Sequence, residues 1–197
     1  LRLGLVDVLA EIGGLEAESV LAAMLDTTGR GVEVAYVAKA LQSMAPGQYR
    51  EPAVAAATDL LTHPPVIENP TRLDASARDY LYQVLQMFND TSFAGAAQQM
   101  LVSTDGRVDR DVLSYLNGSL KEQAMPAIYQ AYQDPRLSNQ WEKASLVGAA
   151  FNYVGPNTQA NQMFQDVLAA TNVPTPLKAM AVASLVGTDR GMIAVDR

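Results

Sequence analysis

The sequence predicts an all-α chain: an α-α superhelix of stacked antiparallel helical hairpins, with about ten to twelve helices. Three observations carry that expectation. Apolar residues recur every three or four positions along most of the chain, which is the spacing of one helix face. Helix ends recur at a fixed distance. Ile12-Gly13 and Met44-Ala45 close equivalent helices 32 residues apart, and Val154-Gly155 and Val186-Gly187 are again 32 residues apart. A unit of roughly 30 to 45 residues holding two helices is the mark of an α-solenoid. Finally, the stretch 141–154 is apolar on two sides, with Trp141, Ala144, Val147 and Phe151 on one and Leu146, Ala149, Ala150 and Tyr153 on the other. A helix apolar on two sides has neighbours on two sides, as an inner solenoid helix or the centre of a bundle does.

Taken in order, residues 1–13 place Leu5, Val8, Leu9 and Ile12 on a helical period ended by Gly13-Gly14. Residues 15–27 follow with Leu21, Met24 and Leu25. Residues 31–45 carry Val34, Val37, Leu41 and Met44, and residues 52–62 carry Ala53, Ala57, Leu60 and Leu61. Three prolines in 63–72 forbid a continuous helix there, so this segment reads as a connector between sub-blocks 1–62 and 73–187 of one domain. The period returns from Leu73 to Phe88, with Asp74 placed to cap it, and Thr91-Ser92 opens a partner helix. A turn at 103–108 precedes a short helix through Val112, Leu113 and Leu116, which Asn117-Gly118 breaks. Pro126 inside the next helical stretch, 119–133, predicts a kink or two abutting helices, because an interior proline costs about 3 kcal/mol.

Leu9-Ala10-Glu11-Ile12-Gly13, followed by Leu21 and Leu25, resembles the HEAT-like repeat family. That pattern is a helix ending in Leu-x-x-Ile-Gly, then a second helix with paired leucines. Leu41-Gln42-Ser43-Met44-Ala45 is a weaker copy, and Leu185-Val186-Gly187 keeps the ending. The resemblance covers about residues 1–62 and 138–187. It implies stacked hairpins and carries no functional residue across.

Composition narrows the function classes. The chain has 197 residues, 49% hydrophobic and 18% charged, which favours a packed fold over disorder. Net charge is −7, with most of the acid in residues 1–98. No Lys and Arg cluster offers a phosphate-binding face, so a nucleic-acid partner is not expected. There is no cysteine, hence no disulfide or thiolate chemistry. No apolar run approaches the roughly 20 residues that span a bilayer. The opening at Leu1, already inside a helical period, reads as a segment of a longer protein.

Candidate chemistry is sparse. His63 is the only histidine, and it lacks a recognisable nucleophile and acid at triad spacing. Asp105-Gly106-Arg107-Val108-Asp109 mimics the middle of a calcium loop, but Leu101 and Val112 stand where the first and last carboxylates are needed. A tight turn with a helix cap is the expected reading. The acid pairs Glu16/Glu18 and Asp109/Asp111, spaced i,i+2, point to different helix faces and are expected to be solvated. Asn89-Asp90-Thr91 and Asn117-Gly118-Ser119 match the N-glycosylation tripeptide. The second half holds 14 Asn and Gln against 7 in the first, many near tyrosines. Tyr129, Gln130, Tyr132, Gln133 and Tyr153 are therefore the candidate binding residues, since amides and phenols suit peptide backbones or sugars.

These observations point to a non-catalytic helical-repeat scaffold that binds a protein or peptide partner, with no cofactor. The alternatives are an accessory or regulatory domain of a larger enzyme and a carbohydrate- or peptidoglycan-binding module.

Overall fold

The computed structural model describes residues 2–171, Val173 and residues 175–185. The described residues are all-helical, with eleven α-helices and no strand beyond one isolated antiparallel bridge, Val102 to Val108. Contacts divide the chain into two compact units, Leu1–Gly95 and Ala96–Arg197. The proline-rich segment 63–72 lies inside the first unit.

In the first unit, α1 (Arg2–Ile12), α2 (Gly14–Thr27), α3 (Gly31–Met44), α4 (Arg50–Thr62) and α5 (Ala77–Met87) are joined by short turns. α6 (Ala94–Met100) carries the division between units. α1 and α3 end in equivalent ways: the Gly13 amide donates to the Leu9 carbonyl, and the Ala45 amide to the Leu41 carbonyl. The 32-residue offset between these ends is therefore a structural one. Gly13 and Gly14 have φ of 70° and 81°, backbone that glycine adopts without steric cost, and this lets α2 start one residue after α1 stops.

α3 is the hub of this unit. It touches α1, α2, α4 and α5, and it buries Val34, Val37, Ala38 and Leu41 completely. Helices α1, α3 and α5 touch in succession, and α2 touches α4. The buried acids have donors: Glu33 accepts from the Thr28 hydroxyl at 2.6 Å, and Glu18 from the Tyr49 phenol at 3.2 Å. Arg50, at the start of α4, reaches the turn after α5. Its Nη2 lies 2.6 Å from an Asp90 oxygen whose partner oxygen accepts the Ser92 amide and hydroxyl.

Two expectations for this unit are corrected. Leu5, Val8 and Ile12 do not form the core face of α1; Val6 is buried and those three are half or more exposed. The neighbours α2 and α3 take up the Val6 side. A periodic apolar pattern identifies a stripe without saying that anything covers it. Asp74 does not cap the helix that follows. It sits in a 3-10 turn at 74–76 and turns back, accepting the Thr71 amide and hydroxyl and pairing with Arg30 at 3.3 Å.

The second unit holds α7 (Arg110–Leu120), α8 (Met125–Tyr132), α9 (Gln140–Ala150), α10 (Thr158–Ala169) and α11 (Thr175–Leu185). α9 packs against α7, α8 and α10, so this helix does have neighbours on more than one side. Leu146, Val147 and Ala150 are buried, whereas Trp141, in the first turn beside the Asn139 cap, is 64% exposed. Pro126 lies in the first turn of α8, so two helices abut there as its ring requires. The break before it is not at Asn117-Gly118. α7 runs through that pair to Leu120 and stops at Lys121, whose φ is 52°. Asn117 stays in the helix with its side-chain oxygen accepting the Tyr153 hydroxyl at 2.8 Å. Val186-Gly187 and the tail from Thr188 lie outside the described residues, so the second 32-residue offset has no structural counterpart here.

Candidate functional site

The largest apolar concavity belongs to the first unit, and the sequence builds it from second stripes on two helices. On α3, Val32, Ala35, Tyr36 and Lys39 follow the spacing i, i+3, i+4, i+7, beside the buried set Val34, Val37, Ala38 and Leu41. On α5, Tyr80, Gln83, Val84 and Met87 repeat that spacing. Residues so spaced share one helix face. Because α3 and α5 touch, the two stripes meet, and Leu3 of α1 and Leu73 close the ends. The resulting groove encloses about 510 Å³, within the range of sites that take a ligand or a partner's side chains.

Its floor is aliphatic and its polar groups stand at the rim. The Tyr36 phenol donates to Asp7 at 2.6 Å, and that hydrogen bond, with some desolvation and the charge of the carboxylate, raises its pKa above the ordinary phenol value. The Gln83 amide donates to Asp79 at 2.8 Å. Lys39 is exposed and has no carboxylate partner among the described residues, so its ammonium is open to an anionic group on whatever fills the groove.

The candidates singled out from the sequence lie in the second unit, and the structure does not gather them on one surface. Tyr129 and Tyr132 are half-buried on α8. The Lys143 ammonium sits 5.2 Å from the Tyr132 ring centre, a cation–π contact. Burial, followed by the charges of Asp166 and Tyr129, raises the Tyr132 pKa. Gln130 lines a separate polar cleft of about 100 Å³ with Gln98, Gln99 and Arg136. Gln133 is exposed just past the end of α8. Tyr153 is committed to Asn117 of α7.

Many of the amides have local work. Asn139 accepts the Trp141 amide and Asn157 the amides of Gln159 and Ala160, each capping a helix start. Asn161 bridges both backbone groups of Gly155, and Gln162 donates to Asp166. The amide enrichment thus has a capping explanation that composition alone does not reveal.

The remaining motifs resolve simply. Asp105 to Asp109 forms a tight turn closed by the Val102–Val108 bridge, with Asp109 accepting the Val112 amide as the cap of α7. Gly106 has φ 75°, and a Cβ there would collide with the Arg136 carbonyl. His63 and Asp59 form an exposed i,i+4 pair at 3.1 Å on α4, within an open hollow that also holds Thr58 and Ser92. The Ser92 hydroxyl is already donated to Asp90. Among the described residues no three His, Asp or Glu side chains gather to hold a metal ion, and no helix is long and apolar enough to cross a membrane.

The groove residues were overlooked in the sequence because Val32, Ala35, Tyr80 and Met87 lie beside the stronger core stripes, and only the second i, i+3, i+4, i+7 set marks them. Compared with known proteins, the chain has no match among family models, curated proteins or solved structures.

Proposed function

We propose that this chain is a non-catalytic, HEAT-like helical-repeat scaffold that binds a helical segment of a partner protein. The observation that carries the reading is the groove between α3 and α5, apolar along its floor, with one unpaired ammonium at its rim. A pair of parallel apolar stripes accepts the i, i+3, i+4, i+7 anchors of an amphipathic helix, and Lys39 offers a counter-charge for a carboxylate on that segment. The repeat reading is supported by the matched ends of α1 and α3 and by the succession of contacts through α1, α3 and α5. Stacked hairpins present extended surfaces of this kind.

The test is a peptide library displayed on phage and selected on the wild-type chain. Selected peptides carry apolar residues at helical spacing, and their binding is lost on Met87→Glu, which puts a carboxylate into the groove. Failure to enrich any sequence, or enriched peptides that bind Met87→Glu equally well, contradicts the proposal.

A further inference from the structure

We infer that the outward face of α1, continued by the first turn of α2, is a second docking surface, and that its occupant is a basic amphipathic helix of a partner protein. Leu5, Val8, Ile12 and Leu15 are 50, 52, 71 and 78% exposed. At 100° per residue, the three on α1 fall within an arc of about 60°. Leu15 follows across the Gly13-Gly14 turn. Single exposed leucines are ordinary on a protein surface, but a contiguous row of four aliphatic side chains marks an interaction site. The row is separate from the groove, to which α1 contributes Leu3.

The charges on these two helices identify the occupant. Apart from Arg2, α1 and α2 carry only acids: Asp7, Glu11, Glu16, Glu18 and Asp26. Glu11 precedes Ile12 and Glu16 follows Leu15, so carboxylates border the exposed row where a partner's Lys and Arg would lie. An apolar strip with an acidic border complements a helix with an apolar stripe flanked by bases. A second copy of this chain would bring the same acids against these, and like charges at contact distance oppose that pairing. An anionic membrane surface is repelled for the same reason.

The experiment uses fluorescence anisotropy with a labelled Leu/Lys amphipathic peptide of about 18 residues, long enough to form a helix on contact. Its controls are a scrambled peptide of identical composition and a Leu/Glu counterpart. The expected result is saturable binding of the Leu/Lys peptide alone. Val8→Glu and Ile12→Glu each weaken it at least about tenfold, because each puts a charge at the centre of the apolar row. Glu11→Lys weakens it as well, and Met87→Glu leaves it unchanged, so this surface and the groove stand or fall separately. All these positions on α1 are exposed, and far-UV circular dichroism verifies that each variant keeps its helices; Leu15→Ser replaces any that does not. Absence of saturable binding, equal binding of the scrambled peptide, or indifference to both Val8→Glu and Ile12→Glu overturns the inference. So does sedimentation showing a dimer that Val8→Glu dissolves, since the row then belongs to a second copy.

Discussion

Replacing Arg50 with alanine tests how the first unit is tied together. The guanidinium lies 2.6 Å from Asp90, whose side chain is 8% exposed, while the Arg50 side chain is 45% exposed. A hydrogen bond to a charged group contributes about 1.5–3 kcal/mol when desolvated. Water screens the exposed arginine, so roughly half of that is expected, about 1–1.5 kcal/mol. The Phe88 carbonyl, 3.5 Å from the Arg50 Nε, adds little at that length. The loss should lower the urea midpoint by about 0.5 M for a slope near 2–3 kcal/mol/M. Burial raises the Asp90 pKa, but the Ser92 hydrogen bonds and the Arg50 charge outweigh it, so the carboxyl titrates below its ordinary value. A depressed carboxylate pKa stabilises the fold above the unfolded value, near pH 4, and that stabilisation fades as pH falls through the folded value. The penalty of Arg50→Ala should therefore be full at pH 7 and shrink as Asp90 protonates below about pH 4. An unchanged midpoint at pH 7, or a penalty that survives undiminished at pH 2, refutes the reasoning.

Three further outcomes follow from single residues. Gly106→Ala should destabilise the chain by at least about 1–3 kcal/mol, read by thermal unfolding, because φ of 75° and the Arg136 carbonyl both reject a Cβ. Lys121→Gly should do the reverse and raise the melting temperature by about 2–4 °C, since glycine relieves about 1 kcal/mol of strain at φ 52°. The Asp134 carboxyl, held by the Arg136 side chain and amide, should titrate at about 2 in a carbon-detected NMR experiment. Arg136→Ala should return it toward the ordinary carboxylate value, and an unshifted titration in that variant contradicts the assignment.

The helices were legible wherever one physical rule acted alone. The ends of α1 and α3 follow from small residues after an apolar period, Pro126 from its missing amide, and the Asp105–Asp109 turn from glycine and a cap. What escaped were choices between competing partners. Asp74 had both a helix start and the Thr71–Arg30 pair available, and the latter took it. Asn117-Gly118 looks like a break, but the Tyr153 hydroxyl holds Asn117 within the helix, and Lys121 takes the left-handed turn instead. The exposed row on α1 reads as core because periodicity registers apolar residues and not their neighbours. For the site, counting amides and tyrosines selected side chains that cap helices and tie α7 to the turn after α9. The groove lay in weaker second stripes, which become visible only once α3 and α5 are known to touch.

The central claim is that the α3–α5 groove receives a partner's helix, and methyl-resolved NMR tests it most directly. A peptide selected on the wild-type chain is titrated in while the methyl signals of Val32, Val84 and Met87 are followed. The account predicts that these signals shift together and saturate, while those of Val167 and Met163 in the second unit stay in place. Groove signals that remain still while the peptide binds elsewhere would contradict it.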